Sequence, residues 1–360
     1  MELKEKKRLE EIAKLKSEME QQICNEPDIS DLEPTAKQLN TFHIDLPKRE
    51  YIFHSMEAFN TTEGFLPSGV TCTIGAPGGC GKTYLLLQAA IAAAGGLSWL
   101  NAKALMPIEV LFLAAEEDQE EITRRAQDVM RSMDLHKTPD ILAIVEKNLR
   151  LFGRLDFDER LIGEDNEPTA YFHKLKFFLN KNPKIKLVIL DPASDYMNSE
   201  TENNNAIAKR WTRFLRQLTR AGGKPCLLVA HHLRKDSDED KIYRVSEKDI
   251  SPELSKHSFR GAGGIIDGFR WALAMARRRY DDDSEKVFMR VVKTNYTKSS
   301  NVLTFEPDEI NGGILKFKGM VKNHKIGLTL SARETHEIQP IERKLIRNNL
   351  VETNGEANEW

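Results

Sequence analysis

The stretch TIGAPGGCGKTYLLLQAA, from Thr73 to Ala90, is a glycine-rich turn that passes directly into an apolar segment of helical character. A loop that cradles phosphate needs consecutive backbone N–H groups aimed inward, and small residues tolerate the backbone angles that this requires. It also needs a helix N-terminus facing the anion, a lysine for the β- and γ-phosphates and a hydroxyl for Mg²⁺. The stretch therefore predicts a nucleotide-binding loop between a strand and a helix.

Each required group is present in the stretch. Gly78, Gly79 and Gly81 supply the backbone, Lys82 the ammonium and Thr83 the hydroxyl. The apolar run before the loop is typical of a strand, and the run after it is typical of a helix, as the mechanism requires. The predicted nucleotide-binding residues are Ala76, Pro77, Gly78, Gly79, Cys80, Gly81, Lys82 and Thr83.

One position of the loop departs from the strict GxxxxGK[ST] pattern, and another carries a reactive side chain. Ala76 stands where the pattern has its first glycine, so the pattern is missed by one methyl group. Cys80 lies inside the loop, where a helix N-terminus can lower the pKa of a thiol. The favoured interpretation of Cys80 is simply a small residue that fits.

Composition restricts the class of protein. The chain has 360 residues, 40% of them hydrophobic and 30% charged, with a net charge of −2, so a globally basic nucleic-acid footprint is missing. We expect no secretory signal and no membrane-spanning helix. Four cysteines (Cys24, Cys72, Cys80 and Cys226) have no CxxC spacing, which favours a reducing cytoplasmic setting without disulfides or zinc.

The chain divides into three predicted regions. Residues 1–50 are a charged N-terminal helix and linker, residues 51–320 an ATPase domain, and residues 321–360 a polar tail. The helix, over residues 2–24, is either solvated and partly frayed or carries an apolar stripe that docks on a neighbouring subunit. Within residues 51–320, strands and helices alternate, which predicts an α/β fold with a mostly parallel sheet. Four further strands after residue 267, separated by turns, predict C-terminal β-hairpins.

Carboxylates follow two of the predicted strands. LVILD places Asp191 at a strand end, where a carboxylate can hold Mg²⁺ through water together with Thr83. FLAAEED places Glu116 and Glu117 at another strand end, where one of them can orient water or take a proton. Alternation along a strand sends neighbours to opposite sides, so only one faces the phosphate, and periodicity does not choose between them.

Histidine and arginine candidates complete the predicted site. His231 and His232 end a buried strand and diverge, so one imidazole can contact the γ-phosphate; the alternative is two ordinary strand-end residues. In a strand, Arg270 shares a face with Ala272, Ala274 and Ala276, which suits a contact with another chain. We predict that Arg270 acts in trans on transition-state charge, with Arg260 as the second candidate and an intrachain ion pair as the alternative.

Together, APGGCGKT, LFLAAEED, LVILDP, VAHH, GFRWAL and VVKTNY occur in an order and approximate spacing that resembles the plasmid RepA-like replicative helicases. These are homohexameric RecA-type P-loop ATPases, and the resemblance covers roughly residues 65–319. It implies that Glu116 is the catalytic carboxylate, that His232 senses the γ-phosphate and that Arg270 is the finger. It further implies that Lys293 pairs with the finger, that ATP and Mg²⁺ are bound, and that single-stranded DNA and a replication initiator or primase are partners.

Two segments, residues 195–205 and 234–257, are the candidate DNA-contacting loops, but neither is strongly basic. The favoured function is therefore an ATP-driven ring-forming motor on single-stranded DNA. The alternatives are a RecA-type regulatory or assembly ATPase that acts on protein partners, and a small-molecule kinase.

Overall fold

The computed structural model describes residues 48–54, 64–233, 254–279, 284–296, 302–308 and 314–320. The strands of this part, in chain order, are β1 (Tyr51–Phe53), β2 (Phe65–Pro67), β3 (Thr71–Ala76), β4 (Ser98–Trp99), β5 (Ala102–Lys103), β6 (Glu109–Ala114), β7 (Leu149–Gly153), β8 (Ile185–Asp191), β9 (Cys226–His232), β10 (Trp271–Arg279), β11 (Glu285–Thr294), β12 (Leu303–Pro307) and β13 (Leu315–Met320). The helices are α1 (Lys82–Gly95), α2 (Gln119–Ser132), α3 (Pro139–Asn148), α4 (Ala170–Lys181), α5 (Asn205–Leu218) and α6 (Gly263–Gly268).

Nine of the described strands form one sheet in the order β13-β12-β11-β10-β3-β9-β8-β6-β7. Strands β10, β3, β9, β8, β6 and β7 pair in parallel, whereas β11, β12 and β13 continue the sheet in antiparallel fashion. The predicted α/β class, with a mostly parallel sheet and C-terminal antiparallel strands, is confirmed. Because parallel strands end at the same edge, the residues after β3, β6, β8 and β9 meet at one edge.

Helices cover both faces of the sheet, which explains why its central strands are buried along almost their whole length. The mostly apolar α1 packs on one face together with α2 and α3, and α4 and α5 pack on the other. In α5 the buried residues Ile207, Trp211, Leu215 and Leu218 recur every three or four positions, as one face of a helix requires. The indole N–H of Trp211 donates to the carbonyl of Tyr196 at 2.9 Å, so this buried polar group is satisfied.

The setting of Arg270 differs from the prediction. β10 begins at Trp271, so Arg270 lies just before the strand and is exposed. Ala272, Ala274 and Ala276 are buried within the same chain, in a cluster that contains Leu233, Phe259 and Phe288. The prediction that the alanine face meets another chain is therefore wrong, because β9, the residues around Phe259 and β11 already cover it.

Several predictions fall outside the described residues. These are the N-terminal helix over residues 2–24, Cys24, most of the loop over residues 234–257, and the tail over residues 321–360. Where the structure is described, no helix is long and apolar enough to cross a membrane.

Candidate nucleotide-binding site

The glycine loop joins the end of β3 to the start of α1. Gly79 and Gly81 have φ angles of 71° and 87°, in the left-handed region that favours glycine, and Gly81 caps α1. A Cβ atom added at Gly78 or Gly79 would meet no atom within 4 Å, so the space beside this backbone is open. The loop therefore leaves a hollow at the N-terminus of a 14-residue helix, as an anion site needs.

Lys82 is the first residue of α1 and is buried beside this hollow. Its ammonium Nζ donates to the carbonyl oxygens of Ala76 and Pro77, each at 3.2 Å, so the side chain folds back along the loop. Burial lowers the pKa of Lys82, which Asp191, Cys80 and Glu116 oppose. A cation held in a partly desolvated loop gains interaction energy when phosphate oxygens replace neutral carbonyls as acceptors.

Asp191 and Thr83 meet across the sheet edge. Asp191 ends β8, is buried, and accepts a hydrogen bond from the Thr83 hydroxyl. Burial raises the pKa of Asp191 to about 6, while the Thr83 hydrogen bond and the Lys82 charge oppose the shift. A hydroxyl and a carboxylate oxygen are ligands that Mg²⁺ accepts beside phosphates, so these residues fit the ion that P-loop ATPases use.

The structure separates the two adjacent glutamates that follow β6. Glu117 forms an ion pair with Arg125 of α2, with 2.5 Å between Oε1 and Nη1. Glu116 is exposed; burial of part of its carboxyl and the nearby Asp195 raise its pKa, and the Lys82 charge lowers it. Glu116 is thus the glutamate whose charge interacts with the loop lysine. The charge of Glu117 is instead balanced by Arg125.

Asp118 begins α2 rather than lining the site. Its carboxylate accepts a hydrogen bond from the backbone N–H of Glu121 at 2.7 Å, which is an N-cap.

The two histidines at the end of β9 face different surroundings. His232 pairs in register with Ala76, and its Nδ1 lies 3.4 Å from the Nζ of Lys82. Burial and the Lys82 charge lower the pKa of His232 to about 4, so its ring is neutral at pH 7. His231 is buried, stacks on Phe259, and its Nε2 contacts the carbonyl oxygen of Arg260 at 2.9 Å. Only His232 therefore lies at the loop.

Cys80 is buried within the loop, and its pKa is raised because burial disfavours the thiolate more than Lys82 stabilises it. This environment agrees with the interpretation of Cys80 as a small residue that fits, not with an activated thiol.

Two of the predicted trans-acting groups, Arg270 and Lys293, lie away from the loop. The backbone N–H of Arg270 donates to the carbonyl of Thr71, which places Arg270 at the amino end of the parallel strands. Lys293 of β11 donates through Nζ to the carbonyls of Ile266 and Asp267, at 2.8 and 3.0 Å, and so holds the end of α6. Arg260, the second candidate finger, instead pairs with Glu202 at 3.0 Å within the chain.

Sequence reasoning missed Arg125. It bridges Glu117 and Glu121, and its guanidinium lies 5.9 Å from the ring centre of Tyr84, which directly follows Thr83. The spacing of Glu121 and Arg125, four residues apart on a predicted helix, is the signal that could have found part of this arrangement.

A glycine loop between a strand and a helix, with a lysine, a threonine–aspartate pair and a glutamate at one edge of a parallel sheet, defines the chain as a P-loop nucleoside triphosphatase. The family model of the AAA domain matches residues 58–238, which is half of the chain, and the chain belongs to this family. Membership supports an ATPase of the helicase or RecA-like type. The search of curated proteins finds no match.

Proposed function

We propose that the chain is an ATP-hydrolysing, ring-forming motor that moves on single-stranded DNA, similar to the RepA-like helicases. The observation that carries the proposal is the division of the predicted groups between two edges of one sheet. Lys82, Asp191, Glu116 and His232 surround the loop at the carboxyl edge, whereas Arg270 is exposed at the amino edge. P-loop ATPases complete such a site with an arginine from the same chain or from another copy, and we assign this role to Arg270 of another copy.

Each residue has a distinct role in this proposal. Lys82 binds the β- and γ-phosphates, and Thr83 with Asp191 holds the magnesium ion, which neutralises phosphate charge when bound. Glu116 orients the attacking water and accepts its proton. His232, neutral and beside Lys82, contacts the γ-phosphate and changes partner when that phosphate leaves.

The arginine that acts on the neighbouring copy lies just before β10. Arg270 enters the site of the next copy and neutralises charge that develops in the transition state. Lys293 supports it by fixing the end of α6, two residues before the arginine. Homohexamer formation, a cytoplasmic location and cooperation with a replication initiator or primase belong to the same proposal.

A second candidate is a regulatory or assembly ATPase that acts on protein partners. It is favoured by residues 195–205, which carry Asp195, Glu200 and Glu202 but no lysine or arginine. A loop of this charge gives DNA phosphates no cation to bind.

One experiment separates the two candidates. Phosphate release from Mg-ATP is measured with and without single-stranded DNA at several salt concentrations, and particle mass is measured with and without nucleotide. The motor predicts faster turnover on DNA together with ring assembly. Nucleotide-dependent assembly with turnover indifferent to DNA supports the regulatory ATPase, and a chain that retains no Mg-ATP contradicts both.

A further inference from the structure

Four arginines near the amino edge of the sheet carry charge without a counter-ion. In the described part of the chain, Arg213, Arg216, Arg220 and Arg270 make no ion pair and no side-chain hydrogen bond. Nine other arginines of this part are ion-paired, and these are Arg124, Arg125, Arg131, Arg150, Arg154, Arg160, Arg210, Arg260 and Arg277. The four arginines without an ion pair lie close enough together for the charges of the other three to act on Arg216.

Helical geometry brings three of them together. Arg213, Arg216 and Arg220, here called the arginine stripe, are spaced three and four residues apart along α5 and the turn that follows it, so they share one side. Arg216 is half-buried, and its Nε is buried without a hydrogen-bond partner among the described residues.

The arginines oppose one another electrostatically. Burial lowers the pKa of Arg216, and the charges of Arg270, Arg213 and Arg220 lower it further. Clustered like charges destabilise a fold, and a buried donor without an acceptor adds to that cost. An anion from outside the described surface would relieve both.

The nucleotide bound by the same chain cannot be this anion. Arg270 lies beside Thr71, at the start of β3, whereas the glycine loop follows Ala76, at its end. Six residues of extended strand span about 20 Å, so the two edges are too far apart for direct contact within one chain.

The carboxyl edge of a second copy has the complementary charge. Glu116, Asp118 and Glu120 are exposed there, and Asp195 is close enough to raise the pKa of Glu116. A bound triphosphate adds further negative charge. One chain thus presents exposed carboxylates at one end of its strands and arginines without an ion pair at the other, which suits head-to-tail contact that closes into a ring.

We propose that the arginine stripe binds the nucleotide-bearing carboxyl edge of a second copy, beside Arg270, so that each hydrolytic site is completed by a group of guanidiniums. The proposal rests on the proposed ATPase function and extends it to a surface. Its partner is another copy of this chain, recognised through phosphate oxygens and carboxylates.

The test uses the full chain with all three stripe residues changed to glutamine, R213Q/R216Q/R220Q. Arg210→Gln is the matched control, because Arg210 lies on the same helix but pairs with Glu167. With Mg-ATP, we expect the triple variant to assemble at least about tenfold more weakly than wild type and to lose turnover at low protein concentration. The control keeps both properties, and thermal melting of the triple variant shows no loss of stability because repulsion is removed.

A mixing experiment tests whether the contact is in trans. The Glu116→Gln variant keeps the arginine stripe but lacks the catalytic carboxylate of the carboxyl edge. The triple variant keeps that carboxylate but lacks the stripe. Mixed one to one, they form interfaces in which the stripe of one meets the working edge of the other, so about a quarter of sites regain turnover in randomly mixed rings. If mixing restores nothing, the stripe does not act between copies.

Three further results would overturn either the inference or the proposed function. Assembly and turnover of the triple variant equal to wild type overturns the inference. So does a triple variant that assembles normally but no longer binds a fluorescent oligodeoxythymidine, because the stripe would then be a nucleic-acid surface. If the unmodified chain neither assembles nor hydrolyses Mg-ATP, the proposed function itself fails, and this result is distinct from the others.

Discussion

The two adjacent glutamates after β6 should have opposite effects when each is changed to glutamine. Glu116 is exposed at the loop and makes no ion pair among the described residues, whereas Glu117 pairs with Arg125 at 2.5 Å. We expect Glu116→Gln to lower turnover strongly without loss of stability. We expect Glu117→Gln to lower stability while most turnover remains.

The magnitudes follow from the two environments. A carboxylate that takes a proton in the transition state contributes about 10²–10⁴-fold to rate, so Glu116→Gln should lower kcat by this factor and retain Mg-ATP binding. The Glu117 and Arg125 side chains are 19% and 25% exposed, and Arg125 keeps its contact with Glu121 in the variant. Loss of such a pair costs about 1 kcal/mol, or about 2–4 °C in Tm.

The assay measures phosphate release at saturating Mg-ATP, nucleotide affinity and thermal unfolding for both variants. Glu146→Gln serves as the control, since Glu146 is an exposed acid of α3 that belongs to neither the loop nor the carboxyl edge. The reasoning is refuted if Glu117→Gln stops turnover while Glu116→Gln hydrolyses ATP normally, because the ion pair would then mark the catalytic group.

Three further outcomes are expected. Lys82→Ala removes the cation of the glycine loop and should weaken Mg-ATP binding by at least about tenfold in calorimetric titration, with the fold retained; unchanged affinity would place the phosphates elsewhere. Gly75→Ala adds a Cβ that would lie 2.5 Å from Cε1 of Phe259, so chemical denaturation should show a loss of about 1–3 kcal/mol; full stability would mean that the ring moves freely. Burial lowers the pKa of His231 to about 4, so the unfolded chain binds its proton first, and this residue costs stability as pH falls below about 6.5. The cost reaches about 2 kcal/mol at pH 5, and His231→Gln should flatten the pH dependence of unfolding; equal slopes in both proteins would contradict the shift.

How much could be predicted from sequence depends on the strength of each local pattern. The end of strand β8 at Asp191 follows from sequence, because LVILDP is apolar up to a charged residue that precedes a proline. The β3–loop–α1 unit followed equally well from its glycines. By contrast, α3, β7 and α4 were not predicted, since a short strand such as LRLFG has mixed polarity and its edge position is set by pairing with β6 alone.

The choice between Glu116 and Glu117 shows a different limit. Alternation predicts opposite directions for neighbours only while the strand continues, and β6 ends at Ala114. Beyond that residue, the capping of α2 by Asp118 and the position of Arg125 decide where each carboxylate lies. Both depend on how α2 packs against the rest of the chain, and the alternation of residues along β6 carries no information about that packing.

The histidine pair ties the nucleotide loop to the segment of chain that leads to Arg270. His232 faces the ammonium of Lys82, and His231, the preceding residue, contacts the carbonyl of Arg260 on the other side of the strand. The backbone N–H of Arg260 in turn donates to the carbonyl of His232, so the strand end and this loop are tied twice. The same loop leads into α6 and then to Arg270. A shift of His232 on loss of phosphate would therefore reach Arg260 through these hydrogen bonds, and Arg270 only through the ten residues that include α6.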